Sequence, residues 1–233
     1  MTFCYNHGDI VLTPTDYSKH ILDHYRIKRP VYHLSNGIDT EFFKPTGGEG
    51  RQRFRKRYHI GEEEKVIISV GHYMERKGIL DFIKLAEQMP EYRFYWFGYT
   101  NLHIVPAKIK RAIQNKGGAN LYFPGYVSRQ ELRDAYEGSD VFLFLTHEET
   151  EGIVLLEALA AKIPIVVRDI PIYKKWLKHN HTVYKGKTID EFSQLCKGLL
   201  EKQLPNLTAN GFDLASERDI RVVATKLMKF YHA

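Results

Sequence analysis

The chain has 233 residues, 43% hydrophobic and 13% aromatic, enough for one large domain or one domain with an added fragment. Its two cysteines, Cys4 and Cys196, give no disulfide framework or metal-ligand spacing, and no apolar run approaches the roughly 20 residues of a membrane span. The net charge of +6, from 34 Lys and Arg against 28 Asp and Glu, fits an anionic partner such as a nucleotide, nucleic acid or lipid surface, and equally plain solubilising charge.

Strand and helix patterns alternate along the chain, with short Gly and Pro punctuation. A strand at Ile10–Thr13, a helix at Asp16–Tyr25 and a strand at Val31–Leu34 come first. One strand–helix–strand cannot bury its own faces, so residues 1–45 read as the tail of an upstream domain, or a cap, with a linker at Ser35 to Asp39. A helix at Arg51–Tyr58 precedes the strand Val66–Val70, and the helix Lys77–Met89 precedes the strand Arg93–Phe97. Pro106–Asn115 is helical, Leu121–Phe123 extended, and Ser128–Glu137 helical, with Ser128 and Glu131 spaced as a capping box and Gly138 placed to stop the helix. The strand Val141–Leu145 leads to the helix Ile153–Ala161, then come strands at Ile165–Val167 and Thr182–Tyr184 and helices at Ile189–Glu201 and Asp213–Tyr231. The six strands from Val66 to Tyr184 predict an α/β fold with one doubly wound parallel sheet covered on both faces. Residues 46–212 form that domain, and residues 213–233 a closing helix.

The richest chemistry lies between Glu149 and Glu157, where an apolar strand runs into an acidic turn and a helix opens at Gly152. Strand-to-helix turns at the end of a parallel sheet bind ligands, and a helix N-terminus suits phosphate. Carboxylates beside it would repel phosphate, so accepting hydrogen bonds from sugar hydroxyls is their natural role. Val154, Leu155, Leu156, Ala158, Leu159 and Ala160 make this helix apolar nearly all round, which predicts burial and a partner for Glu157. Glu148 and Glu151 are read as facing solvent or supporting the site from behind.

Gly71-His72-Tyr73-Met74-Glu75-Arg76-Lys77-Gly78 sets a tight turn and three cations beside the next helix, which alone reads more readily as a surface turn than as a diphosphate clamp. Gly98 ends the following strand, and Tyr126 and Val127 follow the next, where aromatic surface suits a flat base. No phosphate loop with a Gly-Lys-Ser/Thr end, no nucleophile elbow and no His-Glu-x-x-His helix is present. The basic cluster Arg51, Arg53, Arg55, Lys56 and Arg57 lacks interleaved stacking aromatics beyond Phe54 and Tyr58, and reads as a solvated helix face rather than a nucleic-acid patch.

Taken in order, these motifs resemble the C-terminal, Rossmann-like half of family-4 retaining glycosyltransferases of the GT-B fold. Asn36-Gly37-Ile38-Asp39 resembles the inter-domain linker, Val70 to Gly78 the first donor loop, and Glu149 to Glu157 the family's paired-glutamate motif. Trp-Phe-Gly-Tyr-Thr, Phe-Pro-Gly-Tyr-Val and Glu-Glu-Thr-Glu-Gly-Ile-Val look like bacterial members that glycosylate diacylglycerol-type lipids. The resemblance implies a donor such as UDP-glucose or UDP-galactose, no cofactor and no metal. Glu157 would hold the ribose hydroxyls and Glu149 the transferred sugar. Backbone N–H groups at Gly152 and Ile153 would face phosphate and sugar, Tyr126 and Val127 would line the base pocket, and Lys77 would neutralise the leaving diphosphate. His72 departs from the Arg that the family often carries, which shifts diphosphate binding toward Arg76 or Lys77.

The same resemblance implies an N-terminal acceptor domain, of which residues 1–35 hold only the last strand–helix–strand. The expectation is a shortened or split protein that binds nucleotide but transfers no sugar alone. Its place is the cytoplasm, peripheral at the inner face of the cell membrane against anionic lipid. The rival readings are a non-catalytic nucleotide-sugar-binding lobe, a basic nucleic-acid-binding domain, and a sugar-phosphate synthase or epimerase.

Overall fold

The structure, a computed structural model, describes residues 2–115 and 118–231. Helix α1 (Thr2–Tyr5), strand β1 (Val11–Thr13), helix α2 (Asp16–Leu22) and strand β2 (Val31–His33) come first. β1 and β2 pair in parallel as a sheet of their own, separate from the main one. Thr15 caps α2, its side chain accepting from Ser18 N. A linker with the one-turn helix α3 (Thr40–Phe43) then leads to α4 (Glu49–Arg57).

The main sheet contains β3 (Val66–Val70), β4 (Arg93–Phe97), β5 (Leu121–Gly125), β6 (Val141–Phe144), β7 (Ile165–Arg168) and β8 (Tyr184–Gly186). All pair in parallel, in the order β5-β4-β3-β6-β7-β8. Between them run α5 (Ile79–Gln88), α6 (Ala107–Gln114), α7 (Arg129–Gly138) and α8 (Ile153–Ala160), and α9 (Ile189–Leu200) follows β8. β3 is buried at every position, as a parallel strand covered on both faces must be. Successive residues of β4 serve opposite faces. Tyr95 and Phe97 join one core cluster with Phe54, Phe142 and Leu155, while Phe94 and Trp96 join the other with Phe82, Leu143 and Phe192.

Chain order reverses between β3 and β6, which lie side by side with Ile67 opposite Val141. The loops leaving the C-terminal ends of these two strands diverge there and leave a crevice, the usual ligand position in such sheets.

Several expectations are revised in detail. The closing helix is two helices, α10 (Thr208–Ser216) and α11 (Ile220–Tyr231); His232 and Ala233 lie outside the described residues. The linker meets the chain at the break between them: Ile38 N–H donates to Arg218 O and Ile220 N–H to Ile38 O, both at 2.9 Å. Asp219 is buried there, accepting from the Thr40 hydroxyl, the Arg221 guanidinium and Arg221 N–H. Those bonds, Arg221's first, hold its carboxyl well below the usual range.

The basic face of α4 is solvated only in part: Arg53, Lys56 and Arg57 are exposed, while Arg55 turns inward. Arg55 is buried, donating to the carbonyls of Gly138, Gly61, Glu62 and Glu64. Arg53 pairs with Asp134, Arg57 with Glu131, and Arg51 donates to Gly138 O. Ser128 caps α7, but Glu131 completes no reciprocal box and instead accepts from Tyr58 and Arg57. Gly138 admits the neighbouring helix, since a Cβ there would lie 2.3 Å from Phe54. β8 begins two residues later than its sequence pattern suggested. No helix among the described residues is long and apolar enough to cross a membrane.

Candidate functional site

The first loop follows β3. Gly71 N–H donates to Phe97 O at 2.9 Å, and Trp96 Nε1 donates to Gly71 O at 2.8 Å. Gly98 has φ +115°, and a Cβ on it would lie 2.3 Å from Gly71 O. Only glycine accepts both that dihedral and that approach, so Gly98 lets β4 brace the first loop from behind. His72 Nδ1 lies 3.1 Å from Tyr99 O. A carbonyl only accepts, so Nδ1 carries a proton, and Nε2 becomes a donor only when the ring is charged. A one-turn 3₁₀ helix, Glu75–Lys77, then presents Arg76 and Lys77. Gly78 (φ +79°) ends it, with a virtual Cβ 2.3 Å from Leu145 O, which puts this loop's backbone against the end of β6.

The second loop follows β6 and is held residue by residue. His147 N–H donates to Arg76 O at 2.8 Å, while Arg76 Nη1 and the Thr146 hydroxyl both donate to Glu148 O at 2.9 Å. Glu149 Oε1 is paired with Lys77 Nζ, and both side chains are largely buried. The Lys77 ammonium also stands 6.0 Å from the centre of the Phe144 ring. Thr150 O accepts from Thr15 and Ser18. Gly152, at φ +87°, turns the chain into α8, whose N-terminus no side chain caps. The first N–H groups of α8, starting at Ile153, thus offer donors and a partial positive charge.

Glu157 lies within α8, one turn in. Its Oε2 accepts from the Tyr136 hydroxyl at 3.0 Å, and that hydroxyl also lies 3.2 Å from Val154 O. Burial pushes the Glu157 carboxyl up to about 7, against the opposing pull of the Tyr136 bond and the Arg129 charge. The partner expected for a carboxylate on a buried helix is therefore Tyr136.

The two loops thus bring Gly71, His72, Arg76, Lys77, Glu149, Gly152, Ile153 and Glu157 to one end of the sheet. Tyr126 and Val127 follow the outermost strand, β5, beyond Gly125 at φ +84°; Tyr126 is 87% exposed. A cavity of about 530 Å³ opens beside Glu149, lined by Arg76, His147 and Ile172 and by Tyr17 and Ile21 of α2. Among the described residues, no cluster of three or more His, Cys, Asp or Glu is placed to hold a metal ion.

Two residues of this region take roles that only the fold defines. Of the two readings for Glu151 the solvent-facing one fails: it is 1% exposed and supports the loop from behind, its carboxylate accepting from Ser35 and Asn36. Tyr173 is wholly buried with its hydroxyl 3.2 Å from the point a Cβ on Gly152 would occupy. Burial holds that phenol protonated far above its ordinary range, with the Glu149 charge adding to the effect. Neither could be found locally, because both depend on packing between distant segments.

Residues 50–211 match the family model described as glycosyl transferases group 1. The chain is 40% identical over 228 residues to the processive diacylglycerol alpha-glucosyltransferase of Acholeplasma laidlawii, covering 97% of this chain and 68% of that protein. It is 30% identical over 162 residues to the alpha-galactosylglucosyldiacylglycerol synthase of Streptococcus pneumoniae, covering 69% of this chain and 43% of that one. Among solved structures, Anabaena HepE in complex with UDP and glucose superposes with a TM-score of 0.87 at 14% identity, over 98% of this chain and 64% of that one. Sucrose-phosphate synthase from Thermosynechococcus elongatus superposes with a TM-score of 0.85 at 17% identity, over 99% and 59%. The fold is that of GT-B glycosyltransferases, and the chain belongs to the glycosyl transferases group 1 family.

Proposed function

We propose that this chain is the donor-binding domain of a retaining, metal-independent glycosyltransferase. It would move a hexose from a UDP-sugar, UDP-glucose or UDP-galactose, to a diacylglycerol-type lipid at a membrane surface. The observation that carries the reading is the pairing of Lys77 with Glu149 beside the open N-terminus of α8, with Glu157 one turn further on. The names of the two lipid-glycosylating relatives support the acceptor class, and the HepE complex with UDP and glucose supports the donor class.

The pair suits two tasks at once. An ammonium has three N–H donors and a carboxylate two oxygens. Lys77 can therefore keep its bond to Glu149 and still donate to a diphosphate, while Glu149 turns its second oxygen to a sugar hydroxyl. Glu157, steadied by Tyr136 on one oxygen, has the other for ribose. In the reaction, the bond between the anomeric carbon and the β-phosphate oxygen breaks. The acceptor hydroxyl oxygen bonds to that carbon from the same face and passes its proton to the departing phosphate oxygen. Negative charge gathers on the departing diphosphate, where Lys77, Arg76 and the α8 N–H groups stabilise it. An acceptor domain would complete the cleft, and contact with anionic lipid would bring the acceptor to it.

Calorimetric titration with UDP, UDP-glucose and UDP-galactose tests the reading. Lys77→Ala and Glu157→Ala are each expected to weaken UDP-sugar binding by about 1–3 kcal/mol, the usual scale for a charged hydrogen bond. Unchanged affinity in both folded variants would remove these residues from the site.

A further inference from the structure

The loop between Leu145 and Ile153 has no regular structure, yet it must hold Glu149 to within a fraction of an ångström of a sugar hydroxyl. Its restraints come from two sides. From the sheet, Arg76 holds Glu148 O and Lys77 holds Glu149. In the reading above, these same two cations also bind the diphosphate, so their hold on the loop is shared with the ligand. On the other side, the Thr15 and Ser18 hydroxyls donate to Thr150 O at 3.0 and 3.2 Å. Glu151 accepts from the Ser35 hydroxyl, from Asn36 N–H at 2.9 Å and from Asn36 Nδ2 at 2.8 Å. Ser35 in turn is fixed by Gly37 N–H at 3.1 Å.

A carboxylate buried to this extent is costly unless its lone pairs are filled, and here three donors fill them, all from the linker after β2. Glu151 thus joins the acidic loop to the linker that leaves the β1–α2–β2 unit, through bonds in which neither Lys77 nor Arg76 takes part. It stands between Glu149 and Gly152, the two positions that aim the sugar-facing carboxylate and start α8.

We propose that Glu151 is a positioning residue, tying the acidic loop to the N-terminal unit so that the seating of this unit sets Glu149 against the transferred sugar. The inference rests on the donor-site reading and goes beyond it by naming a hold that is not shared with phosphate. It also makes sugar recognition, but not nucleotide recognition, dependent on the N-terminal unit.

The test compares UDP with UDP-glucose on the full chain by calorimetry, for wild type, Glu151→Gln, Asn36→Ala and the double variant, with melting temperatures alongside. UDP affinity should stay within about twofold, while the ratio of UDP-glucose to UDP affinity falls about tenfold in each single variant. The double variant should lose little more than either single one, because both remove the same link. Should Glu151→Gln fail to fold, Asn36→Ala and Ser35→Ala carry the same expectation from the linker side. Equal losses for both ligands would show a merely structural role and overturn the inference, as would an unchanged ratio in folded variants. A wild-type chain that binds neither ligand overturns the donor-site reading and this inference together; one that binds both, with the ratio unmoved in the variants, overturns this inference alone.

Discussion

Glu157 shows how burial sets the behaviour of one side chain. Its carboxyl is raised from an ordinary 4.5 to about 7, desolvation outweighing the Tyr136 hydrogen bond. The folded chain therefore keeps a proton that the unfolded chain releases. The associated stability is full below the unfolded value, and it is lost as pH rises through about 7. Glu157→Gln carries no titrating proton, so wild-type stability relative to that variant should fall across this window, read as melting temperature against pH. Binding should run the other way, because an ionised carboxylate makes stronger bonds to ribose hydroxyls than a neutral acid. UDP-glucose affinity relative to the variant should therefore climb through about pH 7, and parallel curves would separate Glu157 from the ribose. Glu149 and Glu157 were legible in the sequence because their spacing sits on one strand–turn–helix. Glu151, between them, was not: its partners Ser35 and Asn36 lie more than a hundred residues upstream, and only the folded chain brings them together.

Elements were legible where one period governed a whole segment, and misread where a distant residue intervened. The buried strands β3 and β6 and the apolar helix α8 follow directly from their sequences. Residues 213–231 carry a nearly continuous helical pattern, yet the chain breaks before Ile220 because Asp219 is claimed by Thr40 and caps the new helix through Arg221 N–H. The charge of α4 was legible but not its use, since Asp134, Asp140 and Glu131 approach it only after α7 packs against it. Asp219 gives the element-scale prediction. Asp219→Ala removes a helix cap and leaves the buried Thr40 hydroxyl short of an acceptor, a loss of about 2 kcal/mol. For a chain of this size that is roughly a 4–8 °C drop in melting temperature. The wild-type advantage should persist at neutral pH and disappear only in strong acid, because the Asp219 carboxyl is held far below its ordinary range. An unchanged melting temperature would show that the linker, not Asp219, fixes the break.

At the scale of the molecule, three exposed apolar side chains sit in or beside the loops proposed to bind the donor, at one end of the sheet. Met74 (41% exposed) lies in the loop after β3, and Tyr99 (53%) and Ile104 (76%) lie in the loop after β4. Ile104 is offered by a turn in which its N–H donates to Asn101 O. Lys108, Lys110 and Arg111 follow at once on α6, with Glu75 offsetting Lys108 through a 3.0 Å ion pair. A bilayer meeting this end would take the apolar tips into its interface and the cations against its headgroups, leaving the crevice between the donor loops at the lipid surface. The charge share of that contact is up to about 1 kcal/mol per well-placed cation and fades as salt shortens the screening length. The chain should therefore sediment with vesicles containing anionic phosphatidylglycerol, release as salt rises toward about 1 M, and ignore pure phosphatidylcholine. Combining Ile104→Ser with Lys110→Glu and Arg111→Glu should cut vesicle binding by at least about tenfold while leaving UDP-glucose affinity intact, since none of the three side chains lies among the donor-contacting residues. Equal retention on neutral vesicles, or undiminished binding by the triple variant, would place the membrane contact elsewhere on the chain.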